Sequence, residues 1–380
     1  MKIAGAWLET SGTQALCRGL ENAGYKALFV GGCVRNSLLG KPVSDIDIST
    51  DARPETVTDI AERAGFRVIP TGVDHGTVTV LAEGVALEVT TFRRDIETDG
   101  RHAVVVFATD VKDDASRRDF TMNALYADRH GTVVDPLGGL SDVLARRVRF
   151  VGEPTDRIRE DFLRILRFFR FFAHFGDPSD GIDADGLSAC AELAVGIETL
   201  SRERVGAEMR KLLSAPDPAP AVAAMQAAGV LGRVLPGADA RALGLLVHLE
   251  KERPARWQRR LAVMGGHDHA EWLRLSRAEA AELETIYAGL GSLQTPAALG
   301  FVHGLTLATD CILARAAVFE TPLPKDWERE AERGALANFP VSAADFMPDL
   351  QGPALGQKLA EVMQRWLDSD LSLTRQQLIG

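Results

Sequence analysis

The stretch FVGGCVRNSLLGKPVSDIDIST, residues 29–50, packs a glycine pair, an arginine and two alternating aspartates into one short run. The apolar residues Phe29 and Val30 run into Gly31 and Gly32. "CVRNSLLG" then has the pattern of one or two helical turns, closed by Gly40. "SDIDIST" alternates polar and apolar residues, the mark of a half-buried strand. On a strand, residues i and i+2 project to one face, so Asp45 and Asp47 emerge together while Ile46 and Ile48 turn to the core. Two neighbouring carboxylates repel, which calls for a cation between them or a shared proton. Hard oxygen ligands on one face suit Mg²⁺, which keeps water and substrate phosphate as its other ligands. Two-metal phosphoryl transfer uses such a pair, often with a third carboxylate from a neighbouring strand. Glu88, in "LEVTTF", is the candidate third ligand. A DxD alone fits a solvated strand face better than a metal site. The glycines ahead of it change the balance, because a strand ending in Gly31-Gly32 and opening a helix aims backbone N–H groups at a phosphate. Arg35, one turn in, is placed to reach the same phosphates.

Outward from this stretch, the first 150 residues read as mixed α and β. "SGTQALCRGLENAG" is a helix with a glycine stop, and "HGTVTVLAEGVALEVTTF" a hairpin about Glu83-Gly84. "TVVDPLGG" is a strand and turn. From about residue 155 the β-branched alternation disappears and helical texture takes over, with stops at "FGDPSDG", "SAPDPAP" and "LPGAD". The expected class is α+β: a mixed-sheet head over 1–148 followed by an all-helical remainder, divided into 149–235 and 236–380. The segment "REDFLRILRFFRF" reads as a helix starting near Arg159. Of the histidines, His75 shapes the turn before a strand, and His267 and His269 belong to a surface loop with no third metal ligand nearby.

The chain has 380 residues, 46% of them apolar, and a net charge of −10. No apolar run approaches the roughly eighteen residues of a membrane span, and "MKIAGAWLETSGTQ" lacks a signal-peptide core. Cys17, Cys33, Cys190 and Cys311 are scattered without a CxxC pair, which fits a reduced, cytoplasmic protein. The acidic total opposes general nucleic-acid binding unless arginines gather on one face. They are dense between residues 146 and 170 and in "KERPARWQRR" (251–260), a segment that fits an RNA-backbone contact or a solvated helix end.

The stretch resembles the signature of class II tRNA nucleotidyltransferases, the CCA-adding enzymes, which group with bacterial poly(A) polymerases in the polymerase β superfamily. The resemblance continues in order through "HGTV" (75–78), "EVTTFRRD" (88–95), "RRDFTMNALYAD" (117–128), "DPLGG" (135–139) and "REDFLRILRFFRF" (159–171). It implies a polymerase β-like head in which Asp45 and Asp47 bind catalytic Mg²⁺. Gly31, Gly32 and Arg35 would face the triphosphate, and Arg118 would bind nucleotide. Asp119 and Asn123 would organise the junction of head and neck. "RRDIETDGRHA" matches the family's flexible loop. One departure is Asn36, where the family usually carries aspartate. The implied activity is template-independent addition of CCA to tRNA 3′ ends from CTP and ATP, with release of pyrophosphate. A specialised A-adding or CC-adding enzyme or a poly(A) polymerase stays open. A non-catalytic RNA-binding scaffold would predict loss of a carboxylate at 45 or 47. No membrane and no protein partner are implied.

Asp161, Arg164, Arg167 and Arg170 recur at every third residue, each step turning by about 60° on an ideal helix. Such a row fits a surface ion stripe. It also fits base selection. Cytosine and adenine both offer an exocyclic amine beside an acceptor ring nitrogen, so a carboxylate accepting from one and an arginine donating to the other binds both. Uracil and guanine reverse the pattern. By resemblance Asp161 and Arg164 read the base, while Arg167 and Arg170 position them or contact phosphate and tRNA.

Overall fold

The computed structural model describes residues 1–99 and 102–380, and its packing divides them into two units. The first contains residues 1–200 and 227–233, the second 201–226 and 234–380.

The first unit is built on β1 (Leu28–Val30), β2 (Ile46–Thr50), β3 (Arg67–Gly72), β4 (Thr77–Ala82), β5 (Val85–Thr91), β8 (Tyr126–Ala127) and β9 (Val133–Val134). A separate antiparallel ribbon pairs β6 (Arg93–Asp99) with β7 (His102–Phe107). The sheet runs β3-β4-β5-β2-β1-β8-β9. β4 and β5 form the expected hairpin, and its two turn residues, Glu83 and Gly84, both take positive φ (51° and 85°), as two-residue hairpin turns require. β2 and β5 pair in parallel, because the chain leaves β2 through the helix Pro54–Arg63 and returns by the β3–β4 meander. Phe29, Ile48, Val80 and Leu87 are fully buried between this sheet and its helices. Leu16 and Leu20, one turn apart on the helix Ser11–Asn22, are buried too. The ribbon occupies most of the segment expected as a flexible loop. Gly100 and Arg101 of that segment lie outside the described residues.

The helix expected from Arg159 is two helices. Pro154–Glu160 ends, Asp161 is extended (φ −156°, ψ 107°), and Leu163–Phe175 begins. The Asp161 carboxylate accepts a hydrogen bond from the Leu163 N–H at 3.1 Å. Aspartate competes with the helical backbone in this way and favours caps over helix interiors. The second helix is held by aromatic packing: Phe168 lies 5.3 Å from Phe150 and 5.5 Å from Phe169 between ring centroids.

The second unit is helical. Its helix Pro296–Val318 is long and apolar enough to cross a membrane, yet it kinks at Gly304 (φ 75°) and carries the fully buried Asp310. It meets Trp327–Ala335 backbone to backbone. A Cβ on Gly334 would stand 1.8 Å from the Ala297 carbonyl oxygen, so only glycine fits there. Two arginines of "KERPARWQRR", Arg259 and Arg260, turn inward instead of lying at a solvated helix end. Arg259 and Arg260 are 2% exposed. Arg259 donates to Glu250 at 2.6 and 2.8 Å and to Asp310 at 2.8 Å. Arg260 donates to Glu250 at 2.7 Å and to the Leu213 carbonyl at 2.8 Å, the last turn of the helix Arg202–Leu213. A buried guanidinium survives only with its donors used, and helix-end carbonyls supply acceptors. His267 is exposed as expected of a loop, but His269 is buried, with Nε2 2.9 Å from the Gly265 carbonyl oxygen.

Candidate active site

The parallel register sets Asp47 on β2 directly beside Glu88 on β5. Asp45 stands just ahead of β2, exposed, and accepts from the Ser44 hydroxyl at 2.9 Å. Burial pushes the Asp47 carboxyl up to about 6, with Glu88 and Asp45 adding repulsion and Arg118 opposing them. The three carboxylates singled out in the sequence therefore share one patch of excess negative charge. That charge and the hard oxygen donors fit a divalent cation. Among the described residues no three His, Cys, Asp or Glu side chains close into a metal cage. An ion here would complete its shell with water and phosphate, as Mg²⁺ does.

Gly31 (φ 70°) makes the turn into the helix Gly32–Leu38. A side chain there is strained by the left-handed backbone, and its Cβ would meet Arg118 Nη1 at 3.4 Å. Arg118 donates through Nε to the Tyr126 hydroxyl at 3.1 Å, and through Nη2 to Asp114 at 3.0 Å and to the Ser49 hydroxyl at 3.4 Å. Burial opposes its charge, but Tyr126 and Asp114 outweigh that and hold the guanidinium protonated. Ser49 lies two residues beyond Asp47 on the same face of β2, so one strand carries both the carboxylate and a support of the arginine.

A second network runs from the helix Leu163–Phe175 to the helix Gly32–Leu38. Arg167 donates from both Nε and Nη2 to one Asp119 oxygen, with Nε at 2.8 Å. Asp119 accepts from the Asn123 side-chain amide at 2.9 Å, and the Asn123 oxygen accepts from Arg35 at 2.5 Å. Asp119, Asn123 and Arg35 are all buried. Burial would protonate Asp119, but Arg167 and Asn123 hold its carboxyl below the usual range. Arg35 is pressed between cationic neighbours. Burial first, then Arg170 and Arg167, lower it to about 10 against the pull of Asp119. Its guanidinium carbon lies 3.9 Å from the centre of the Phe175 ring and 5.2 Å from that of Phe171, and Arg170 lies 4.7 Å over Phe171. Asn36 has a use for both ends of its amide: its oxygen accepts from Arg35 at 2.8 Å and its nitrogen donates to the Pro42 carbonyl at 2.8 Å. A carboxylate cannot make the second bond.

Asp161 and Arg164 flank the start of the helix Leu163–Phe175. The Arg164 guanidinium donates to Glu160 at 2.5 Å, to the Arg157 carbonyl at 3.0 Å and to the Arg117 carbonyl at 3.2 Å. It thus ties this corner to the segment that carries Arg118. The sequence reading missed Asp114, Tyr126 and Phe175. Asp114 is four residues before Arg118, the i,i+4 spacing of a helical ion pair, so "DDASRR" held the signal. Tyr126 gave none, because only the β1–β8 pairing brings it beneath the arginine.

Residues 27–149 match the family described as the poly A polymerase head domain, and residues 181–241 the family described as a probable RNA- and SrmB-binding site of polymerase A. The chain is 36% identical over 341 residues to the CCA-adding enzyme of Geobacillus thermodenitrificans, covering 86% of this chain and 82% of that one. It is 40% identical over 207 residues to the human mitochondrial CCA tRNA nucleotidyltransferase 1, covering 54% and 48%. The crystal structure of the Bacillus stearothermophilus CCA-adding enzyme in complex with CTP superposes with a TM-score of 0.70 at 30% identity, covering 95% of this chain and 94% of that one. Motif order, the polymerase β-like head and similarity over most of both chains agree: the chain belongs to the CCA-adding enzymes of the tRNA nucleotidyltransferase and poly(A) polymerase family.

Proposed function

We propose that this chain adds C, C and A in turn to the 3′ end of tRNA, using CTP and ATP without a nucleic-acid template. The observation that carries the reading is the register of Asp47 on Glu88, with Asp45 beside them and Arg118 fixed at the glycine turn. The tRNA 3′-hydroxyl oxygen attacks the α-phosphorus of the nucleotide. The new O–P bond forms as the bond to the β-phosphate oxygen breaks, pyrophosphate leaves with the electron pair, and the hydroxyl proton is released. A divalent cation, Mg²⁺ in this reading, would be held by Asp45 and Asp47 with Glu88 in support, and would supply charge neutralisation at the reacting phosphate. Gly31, Gly32, Arg35 and Arg118 hold and orient the triphosphate. Asp161 accepts from the exocyclic amine of C or A, and Arg164 donates to the ring nitrogen. Asp119, Asn123 and Arg167 keep that selecting corner in register with the triphosphate site, and Arg170 adds positive charge there. Residues 1–148 act as catalytic head, 149–235 as selecting neck, and 236–380 as the body and tail that take the tRNA. Four free, buried cysteines support a reducing, cytoplasmic setting.

The test is incorporation on three tRNA transcripts, ending before CCA, after C and after CC, with each nucleotide alone and with CTP plus ATP. Extension to CCA followed by arrest is the expected result. Addition of A alone to the CC-ended transcript, arrest at CC, or an unbounded A tail would each replace the reading with a specialised relative. No incorporation with Mg²⁺ present would overturn it.

A further inference from the structure

The guanidinium of Arg118 is held from behind. Asp114, on the helix Val111–Ser116, is fully buried. One of its oxygens accepts from Arg117 at 2.6 and 2.9 Å. The other accepts from Arg118 Nη2 at 3.0 Å, from the Tyr126 hydroxyl at 2.7 Å and from the Ser49 hydroxyl at 3.4 Å. The Tyr126 hydroxyl in turn accepts from Arg118 Nε. An arginine only donates and an ionised carboxylate only accepts, so this triangle has a single proton arrangement. It takes up Nε and Nη2. Nη1 is left with one long contact, 3.5 Å to the Asn123 carbonyl, and is the atom nearest a Cβ placed on Gly31.

We propose that Asp114 and Tyr126 are positioning residues for nucleotide binding: they grip Arg118 by its Nε–Nη2 edge and present Nη1 at the Gly31–Gly32 turn to the triphosphate. The inference deepens the functional reading and rests on it. A free arginine loses rotamer freedom each time it orders on a ligand. Here that ordering takes place on folding, and binding gains the difference. Three acceptors along one edge fix the plane of the guanidinium as well as its place, and a fork needs its plane fixed to meet phosphate oxygens. Burial raises the Asp114 carboxyl, yet Arg118 and Arg117 pull it down to about 2. The carboxylate therefore stays ionised around neutral pH, and the grip with it. Because triphosphate is common to both substrates, the effect is blind to the base.

The experiment is steady-state kinetics of Tyr126→Phe and Asp114→Asn, with CTP on the transcript ending before CCA and ATP on the CC-ended one. Losing one hydrogen bond to a charged group corresponds to about tenfold to a hundredfold in affinity. Tyr126→Phe should raise KM for CTP and ATP by that factor equally and weaken product inhibition by pyrophosphate in step. Its kcat and KM for tRNA should stay near wild type, while its melting temperature falls by a few degrees, as the loss of one buried hydrogen bond requires. Asp114→Asn should raise both nucleotide KM values further; if it does not fold, Tyr126→Phe carries the test. Unchanged nucleotide KM in Tyr126→Phe, a rise for one nucleotide only, or a fall in melting temperature alone would overturn the proposal. Wild-type protein that incorporates nothing overturns the functional reading; active wild type with unresponsive variants overturns only the positioning role.

Discussion

Asp47 bears the electrostatic load of the site. Its folded pKa of about 6 lies above the 3.8 of the free side chain, so the metal-free folded state holds the proton more tightly than the unfolded one. Stability therefore falls as pH rises from about 4 to about 6 and stays lower above that. Asp47→Asn removes the repulsion. After discounting for solvent screening at a half-buried group, it should stabilise the metal-free protein by about 1 kcal/mol at pH 7.5 and by nothing at pH 4. Melting curves in chelator at the two pH values check this. The same variant should lose nucleotide incorporation by at least about a hundredfold, so the carboxylate trades stability for function. The pair of aspartates was legible from alternation together with the glycine turn ahead of it, and Glu88 as a candidate, though its place beside Asp47 comes from the sheet register. Asn36 was legible as a departure but not in its role, because its Pro42 partner depends on how the loop closes.

At the scale of elements, the break at Asp161 carries the clearest consequence. The carboxylate caps the helix Leu163–Phe175 and in the proposed function also reads the base. The two roles separate by substitution. Asparagine caps about as well as aspartate, and alanine does not. Asp161→Asn should keep the melting temperature while admitting UTP, since its amide can donate where the carboxylate only accepts. Asp161→Ala should lose about 1 kcal/mol as well as selectivity. Misincorporation assays alongside urea unfolding distinguish them. Periodicity shows which face of a helix is apolar, and the apolar residues here run on through the break, so the sequence reading joined two helices. The hairpin at Glu83-Gly84 was legible because its turn chemistry is local. The parallel neighbour of β2 was not, since strand order follows from a crossover whose path no local pattern records.

At the scale of the whole molecule, an acidic chain commits two of its arginines to the interior of the second unit. Glu250 faces Arg259 and Arg260 in a buried cluster of the second unit. "KERPARWQRR" looked like a basic patch because its partners Glu250 and Asp310 come from other helices, one of them far along the chain. Glu250→Gln leaves two guanidinium groups short of charge and should cost about 3–5 kcal/mol. A lowered urea midpoint, with nucleotide KM unchanged in the folded protein, is the expected outcome. The pairing of β2 with β5 has a consequence in time. The two strands meet only after the chain has passed through a helix and two further strands, and contacts of such wide sequence separation form late. Asp47 and Glu88 are therefore apart until the sheet has closed around them. A cation held there would join a finished sheet: it should slow unfolding and leave the refolding rate untouched, and a nascent chain released before Thr91 has yet to set Asp47 beside Glu88.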